Sequence, residues 1–180
     1  MDTMNDPKYP IGRFEFSDQV TAEDRQRWMA EIRNTPQLLR DAAAGMTERE
    51  LDTPYRADGW TARQVIHHVA DSHMNSYIRF RLALTEEAPP VNGYLEGAWA
   101  ELADARTAPV ELSLSLLDAL HARWMLLLEG LAPEDLQRCF RHSERGLMTL
   151  EKNLALYAWH GRHHAEHVLM VKRQRRGAGA

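Results

Sequence analysis

Apolar residues return at helical spacing along most of the chain. Beyond residue 20, Trp28, Ile32, Leu39, Ala43 and Met46 recur at intervals that predict a helix over about 21–44. Thr21 with Asp24 three residues on supplies its cap, and Pro36 is expected to kink or split it. Thr47-Glu48-Arg49-Glu50 repeats the capping pattern ahead of a short turn of helix, and residues 52–59 read as a loop from their Pro, Gly and Asp content. A second long helix opens after Thr61 and runs to about residue 85. Its apolar positions (Ala62, Val65, Ile66, Val69, Tyr77, Phe80, Leu84) cover the broad arc of a helix buried between neighbours. A Pro-rich connection over 86–93 and a helical piece near 95–102 lead to a third long helix, 109–130. Pro109 suits its first turn, and Leu117, Leu120, Trp124, Leu127 and Leu131 form its stripe. Residues 133–140 read as another short helix and 141–146 as a polar turn with room for a small hairpin. The last helix is expected over about 149–173.

Four long helices without a convincing strand pattern predict an all-α four-helix bundle, with short extra helices in its connections and residues 1–180 as a single domain. Residues 1–20, with Pro7, Pro10 and Gly12, read as an extended arm across the body, and 177–180 as a disordered tail. Composition changes this picture little: 44% hydrophobic and 27% charged residues are ordinary for a globular chain. A net charge of −4 lacks the basic excess of a nucleic-acid surface. The basic run 172–176 sits where a helix dipole favours cations. Cys139, the single cysteine, excludes an intrachain disulfide and fits a reducing compartment. No run approaches the ~18 apolar residues of a membrane span. The N-terminus lacks the features of a signal peptide, so a cytoplasmic location is expected.

The chemistry-bearing residues are histidines. Four of nine fall at His160, His163, His164 and His167. Pairs four apart stack on one helical face, the spacing by which HExxH helices grip zinc. Gly161 occupies the place of the glutamate in that motif, so the metalloprotease reading fails. Projected at 100° per residue, His164 lies beside the apolar stripe Leu150, Leu154, Tyr157, Val168 and Val171, and His160 on its flank. His163 and His167 fall toward the polar side. A third ligand is expected from the second helix, where His67, His68 and His73 compete. His68 and His73 sit on opposite shoulders of its arc and His67 outward, so the arc does not choose between the first two. His121 reads as a packing residue, and His142 in its turn carries no signal. Asp71, three after His68, has the spacing to orient a ligand imidazole, or to serve at the surface. Arg56, Asn75, Arg79 and Tyr157 are candidates to line a pocket or hold an anionic substrate.

A tryptophan opening a helix, a histidine eight positions later and a late HxxxH resemble the DinB superfamily of metal-binding four-helix bundles. The closer similarity is to its YfiT-like metal-dependent hydrolases. Tyr9-Pro10-Ile11-Gly12, Leu51-Asp52-Thr53-Pro54-Tyr55-Arg56, Gly59-Trp60-Thr61, His67-His68, the block from Ala70 to Phe80, and Leu156-Tyr157-Ala158-Trp159-His160 all carry it. The resemblance implies metal ligands at His68, His160 and His164.

Three neutral imidazoles leave an open coordination position and the full metal charge, a composition that leans catalytic. Zinc is the leading expectation, and nickel and iron suit the same ligands. The metal-dependent hydrolase reading uses such an ion to activate water on a small-molecule substrate. The alternative is a metal-dependent S-transferase for a low-molecular-weight thiol such as bacillithiol, because a coordinated thiol is deprotonated. A third reading is a metal-binding module without turnover. A homodimer through the broad apolar helices is compatible with the pattern, with no seam marked.

Overall fold

Each long helix begins where the sequence supplies a stop for the preceding chain. In the computed structural model, which describes residues 6–177, these are α1 (Ala22–Ala43), α3 (Ala62–Thr85), α6 (Val110–Glu129) and α7 (Leu150–Gly177). Thr21, Thr47 and Thr61 all form reciprocal capping boxes, opening α1, the short α2 (Glu48–Leu51) and α3. The connection after α3 carries α4 (Glu96–Ala100) and α5 (Ala103–Thr107), and a 3₁₀ turn, Pro133–Gln137, follows α6. The architecture is the four-helix bundle expected. The first five residues of the arm and residues 178–180 of the tail lie outside the described residues, and Gly177 closes α7.

Two expectations change. Pro36 does not split α1, which remains one helix through it. The segment expected as a helix over 133–140 is helical only to Gln137, after which the chain enters a strand. Strands β2 (Cys139–His142) and β3 (Gly146–Thr149) form the hairpin, with Cys139 opposite Thr149. Strand β1 (Pro90–Val91) lies parallel to β2, pairing Pro90 with Arg141 and Val91 with His142. This three-stranded sheet ties the chain after α3 to the start of α7. Strands of two to four residues are too short for a period, and the partner of β2 is some fifty residues upstream in sequence, so local pattern could not reveal the pairing.

The apolar core has two halves. One gathers Ile32, Phe80, Trp124, Phe140, Leu150 and Leu154 at the sheet end. The other gathers Leu39, Val65, Ile66, Leu117, Ala165 and Val168. On every long helix the residues between these halves are polar or small. Thr35 and Pro36 occupy that level on α1, His68 and His73 on α3, His121 on α6, and His160 to His164 on α7. The histidines of this layer come from α3, α6 and α7. Among the described residues no helix is long and apolar enough to cross a membrane.

Helix α7 can approach α1 there because position 161 has no side chain. A Cβ on Gly161 would overlap Thr35 Oγ1 and stand 2.7 Å from Thr35 Cγ2. Thr35 is fully buried and donates its hydroxyl to Glu31 O at 2.9 Å, so it has little freedom to retreat. Gly161→Ala is therefore expected to destabilise the protein by about 1–3 kcal/mol, the cost of overpacking a dense core. Urea unfolding of the variant against the parent checks this.

Candidate metal centre

Helices α3 and α7 bring three of the sequence-derived residues together. Ring nitrogens of His68, His160 and His164 all lie within 4.8 Å of one another. Nε2 of His68 is 3.3 Å from Nε2 of His160, and the His68 ring meets that of His164 edge-on with centroids 4.8 Å apart. Two nitrogens bound to one tetrahedral zinc at ~2.0–2.1 Å stand about 3.3 Å apart, so this separation fits a shared ion. All-imidazole donors are also the chemistry that zinc, nickel and iron accept. Trp60 packs on His68 with ring centroids 4.7 Å apart, which explains the tryptophan eight residues earlier.

The competing histidines are committed elsewhere. His67, expected outward, is buried, because α5 and α6 pack over that face of α3. Its Nε2–H donates to Ala108 O at 3.1 Å, and Nδ1 is 2.7 Å from Ser113 Oγ, so neither nitrogen is free. His73 has no accessible surface and also uses both nitrogens: Nε2 is 3.1 Å from His160 Nδ1 and Nδ1 is 3.0 Å from His121 Nε2. His121 is thus more than a packing residue, and its Nδ1–H donates to Ile32 O at 2.7 Å. Asp71 makes no hydrogen bond to an imidazole among the described residues. The partner of the second nitrogen of His160 is His73.

His163 and His167, expected on the polar side, are buried as well. Trp159 stacks on His163 at 4.2 Å between centroids, and Tyr55 stacks on His167 at 4.0 Å. These covers come from a helical neighbour and from a distant loop. With His164 they form a second close histidine group, and His167 Nδ1 stands 3.3 Å from His164 Nδ1.

The triad opens into a cavity of about 700 Å³. Arg56, Arg79 and Tyr157 line it as anticipated, while Asn75 does not and donates instead to Asp71 O at 2.9 Å. Sequence reasoning missed the contributions of Lys8, Arg13, Arg145 and His142, which reach the cavity from the arm and the hairpin. Lys8, Arg13, Arg56, Arg79 and Arg145 outnumber Asp58, Glu96 and Glu144 along its walls. Arg79 is the unusual one. Arg63, equally buried, has Asp52 at 2.7 Å and Glu48 at 2.5 Å, whereas Arg79 has no carboxylate within salt-bridge distance among the described residues and reaches only Asn92 O at 3.4 Å. Buried charges are ordinarily paired, so an unpaired guanidinium on a cavity wall marks a place for an anion.

Burial holds the imidazoles neutral. Desolvation pushes His68 down to about 4, with His167 adding to it, and takes His160 and His164 well below the usual imidazole range. Burial likewise pushes Asp71 up to about 6, with Asp104 adding to it. His121 is pushed to about 4 by burial, against the pull of Ile32 O. A folded pKa below the unfolded value of ~6.5 means the unfolded chain binds more protons between the two values. Stability from this source is complete above about pH 6.5 and falls as pH drops toward 4, by roughly 3 kcal/mol for His121 alone. Chelator-treated protein is expected to lose thermal stability steeply from pH 6.5 to 4.5, which calorimetry across that range checks.

Comparison with known proteins gives the chain's family. The family model of the DinB superfamily matches residues 31–168. A relative from Oceanobacillus iheyensis is 50% identical over 161 residues, covering 89% of this chain and 93% of its own. One from Bacillus cereus is 50% identical over 171 residues, covering 95% and 98%. Both carry the name "putative metal-dependent hydrolase". The solved structure of YfiT from Bacillus subtilis is 45% identical and superposes with a TM-score of 0.91, covering 94% of this chain and 97% of that one. It is described as "a probable metal-dependent hydrolase with an unusual four-helix bundle topology". With a family match across most of its length and relatives half identical over nearly all of it, this chain belongs to the DinB superfamily.

Proposed function

We propose that the protein is a metal-dependent hydrolase in which His68, His160 and His164 hold one divalent ion, zinc foremost. The observation that carries this reading is the convergence of three ring nitrogens at a cavity whose walls carry more cations than carboxylates. The names of the half-identical relatives point the same way. An ion so held supplies Lewis-acid activation of water.

The chain's own residues do the rest. Arg79 and Arg145 hold the anionic end of a small substrate and orient it toward the triad. Ser72 Oγ stands 3.5 Å from His160 Nε2 and 3.2 Å from Tyr157 Oη, a polar edge against which the reacting group rests. His163 Nδ1, buried and without a hydrogen-bond partner among the described residues, is available to take a proton, and burial keeps it in the neutral form that can do so by pushing its pKa to about 3. That value makes it a weak base, so it serves as a relay rather than the principal base.

One observation favours a second reading, transfer of a low-molecular-weight thiol such as bacillithiol. The cavity is wide and cationic, and among the described residues no carboxylate is hydrogen-bonded to the triad where a water-directed base would sit. A thiol needs no such base once coordination has removed its proton.

Metal analysis and paired assays separate these readings. Wild type is expected to retain one equivalent of divalent metal, and His68→Ala and His164→Ala to lose it with their activity. Turnover of simple esters or amides without added thiol supports the hydrolase. Strictly thiol-dependent turnover replaces it with the transferase, and stoichiometric metal without either activity leaves a binding module. Retention of metal by both variants overturns the ligand assignment. Arg79→Gln is expected to raise KM for an anionic substrate by roughly 10–100-fold, the worth of a charged hydrogen bond, with a smaller change in kcat. Steady-state kinetics against a neutral analogue, which should be indifferent to the change, checks it.

A further inference from the structure

We propose that the metal-facing nitrogen of His160 is selected by a chain of hydrogen bonds that begins at a proline on another helix, making His121 and His73 positioning residues of the centre. The chain crosses all four long helices. In α1, Ile32 O would normally accept from the amide of residue 36, four positions on. Residue 36 is proline, which has no N–H to give. The carbonyl is taken instead by His121 of α6, whose Nδ1 lies 2.7 Å away.

From that bond every proton position follows. A carbonyl only accepts, so His121 carries its proton on Nδ1, and a neutral imidazole then has a bare Nε2. His73 Nδ1, 3.0 Å from that atom, must donate, which leaves His73 Nε2 bare. His160 Nδ1, 3.1 Å from His73 Nε2, must donate in turn. The proton of His160 is thereby placed on Nδ1, and the lone pair of Nε2 faces His68. Neutrality of all three rings is what makes the deduction run. His73 has no accessible surface and His121 about 2%, an environment in which an unpaired imidazolium is strongly disfavoured. Ligating histidines commonly donate their second N–H to a carboxylate or a carbonyl directly. Here the carbonyl acts through two intervening rings, with no carboxylate in the chain.

The inference rests on the metal-centre reading for its purpose, but its central claim concerns the metal-free protein. Histidine-labelled protein stripped of metal is examined by long-range ¹H–¹⁵N NMR, with assignments from single-histidine variants. His121, His73 and His160 are each expected as the Nδ1–H tautomer. A proton on Nε2 of His160 overturns the proposal, and this measurement is made on the wild-type protein. In His121→Phe, His73 loses its acceptor and His160 its single tautomer, and Zn²⁺ affinity by chelator competition falls about 10–100-fold. A folded His121→Phe that keeps both the His160 tautomer and the Zn²⁺ affinity overturns it equally. A wild type that binds no Zn²⁺ yet shows the three Nδ1–H tautomers would remove the metal reading and leave the relay standing.

Discussion

An imidazole taken out of water must have both nitrogens accounted for, and this bundle buries a whole layer of them. The two apolar halves of the core are conventional. Between them His68, His73, His121, His164 and His167 are buried, and His160 is half-buried beside the cavity. In the dry part of the layer the cost of a lost hydration shell is met ring by ring, through His73, His121 and Ile32 O. In the wetter part it is not fully met. His163 Nδ1 has no hydrogen-bond partner among the described residues, and the facing Nε2 atoms of His68 and His160 are satisfied when one donates to the other or when both turn their lone pairs to a cation.

The helix geometry serves the same layer. Without a side chain at Gly161, α1 comes close enough to α7 for its backbone to take part in the centre. Pro36 then contributes by what it withholds, since a normal residue there would compete for the carbonyl that anchors His121. Two residues that a secondary-structure reading treats as defects, a glycine and a proline within helices, are where packing and proton placement are set.

Much of this was legible in the chain. Threonine-based capping boxes placed the helix starts within a residue, and angular projection put His164 on the buried side of α7, where it lies. Which histidine of α3 meets the α7 pair was not legible from angle. His67 and His68 differ by one residue, and what separates them is that Ala108 O and Ser113 claim one of them from segments forty residues away. The siding of His163 and His167 failed for the same reason, because Tyr55 and Trp159 cover a face that periodicity marks as polar. Short strands and the hairpin arginine at 145 depend on pairing between remote segments, which no local window contains.

The cavity is walled by two kinds of structure. Its histidine side belongs to α3 and α7, held by the core on both flanks, whereas Lys8, Tyr9, Arg13 and Phe14 come from the arm, which over its described residues 6–20 has neither helix nor strand. Substitutions at Lys8 and Arg13 change the charge of what can enter, while Phe14 is the arm residue that packs on the core of the bundle. Selectivity and reactivity are therefore free to diverge independently, so descendants of this scaffold can exchange their substrates while inheriting the same reactive centre intact.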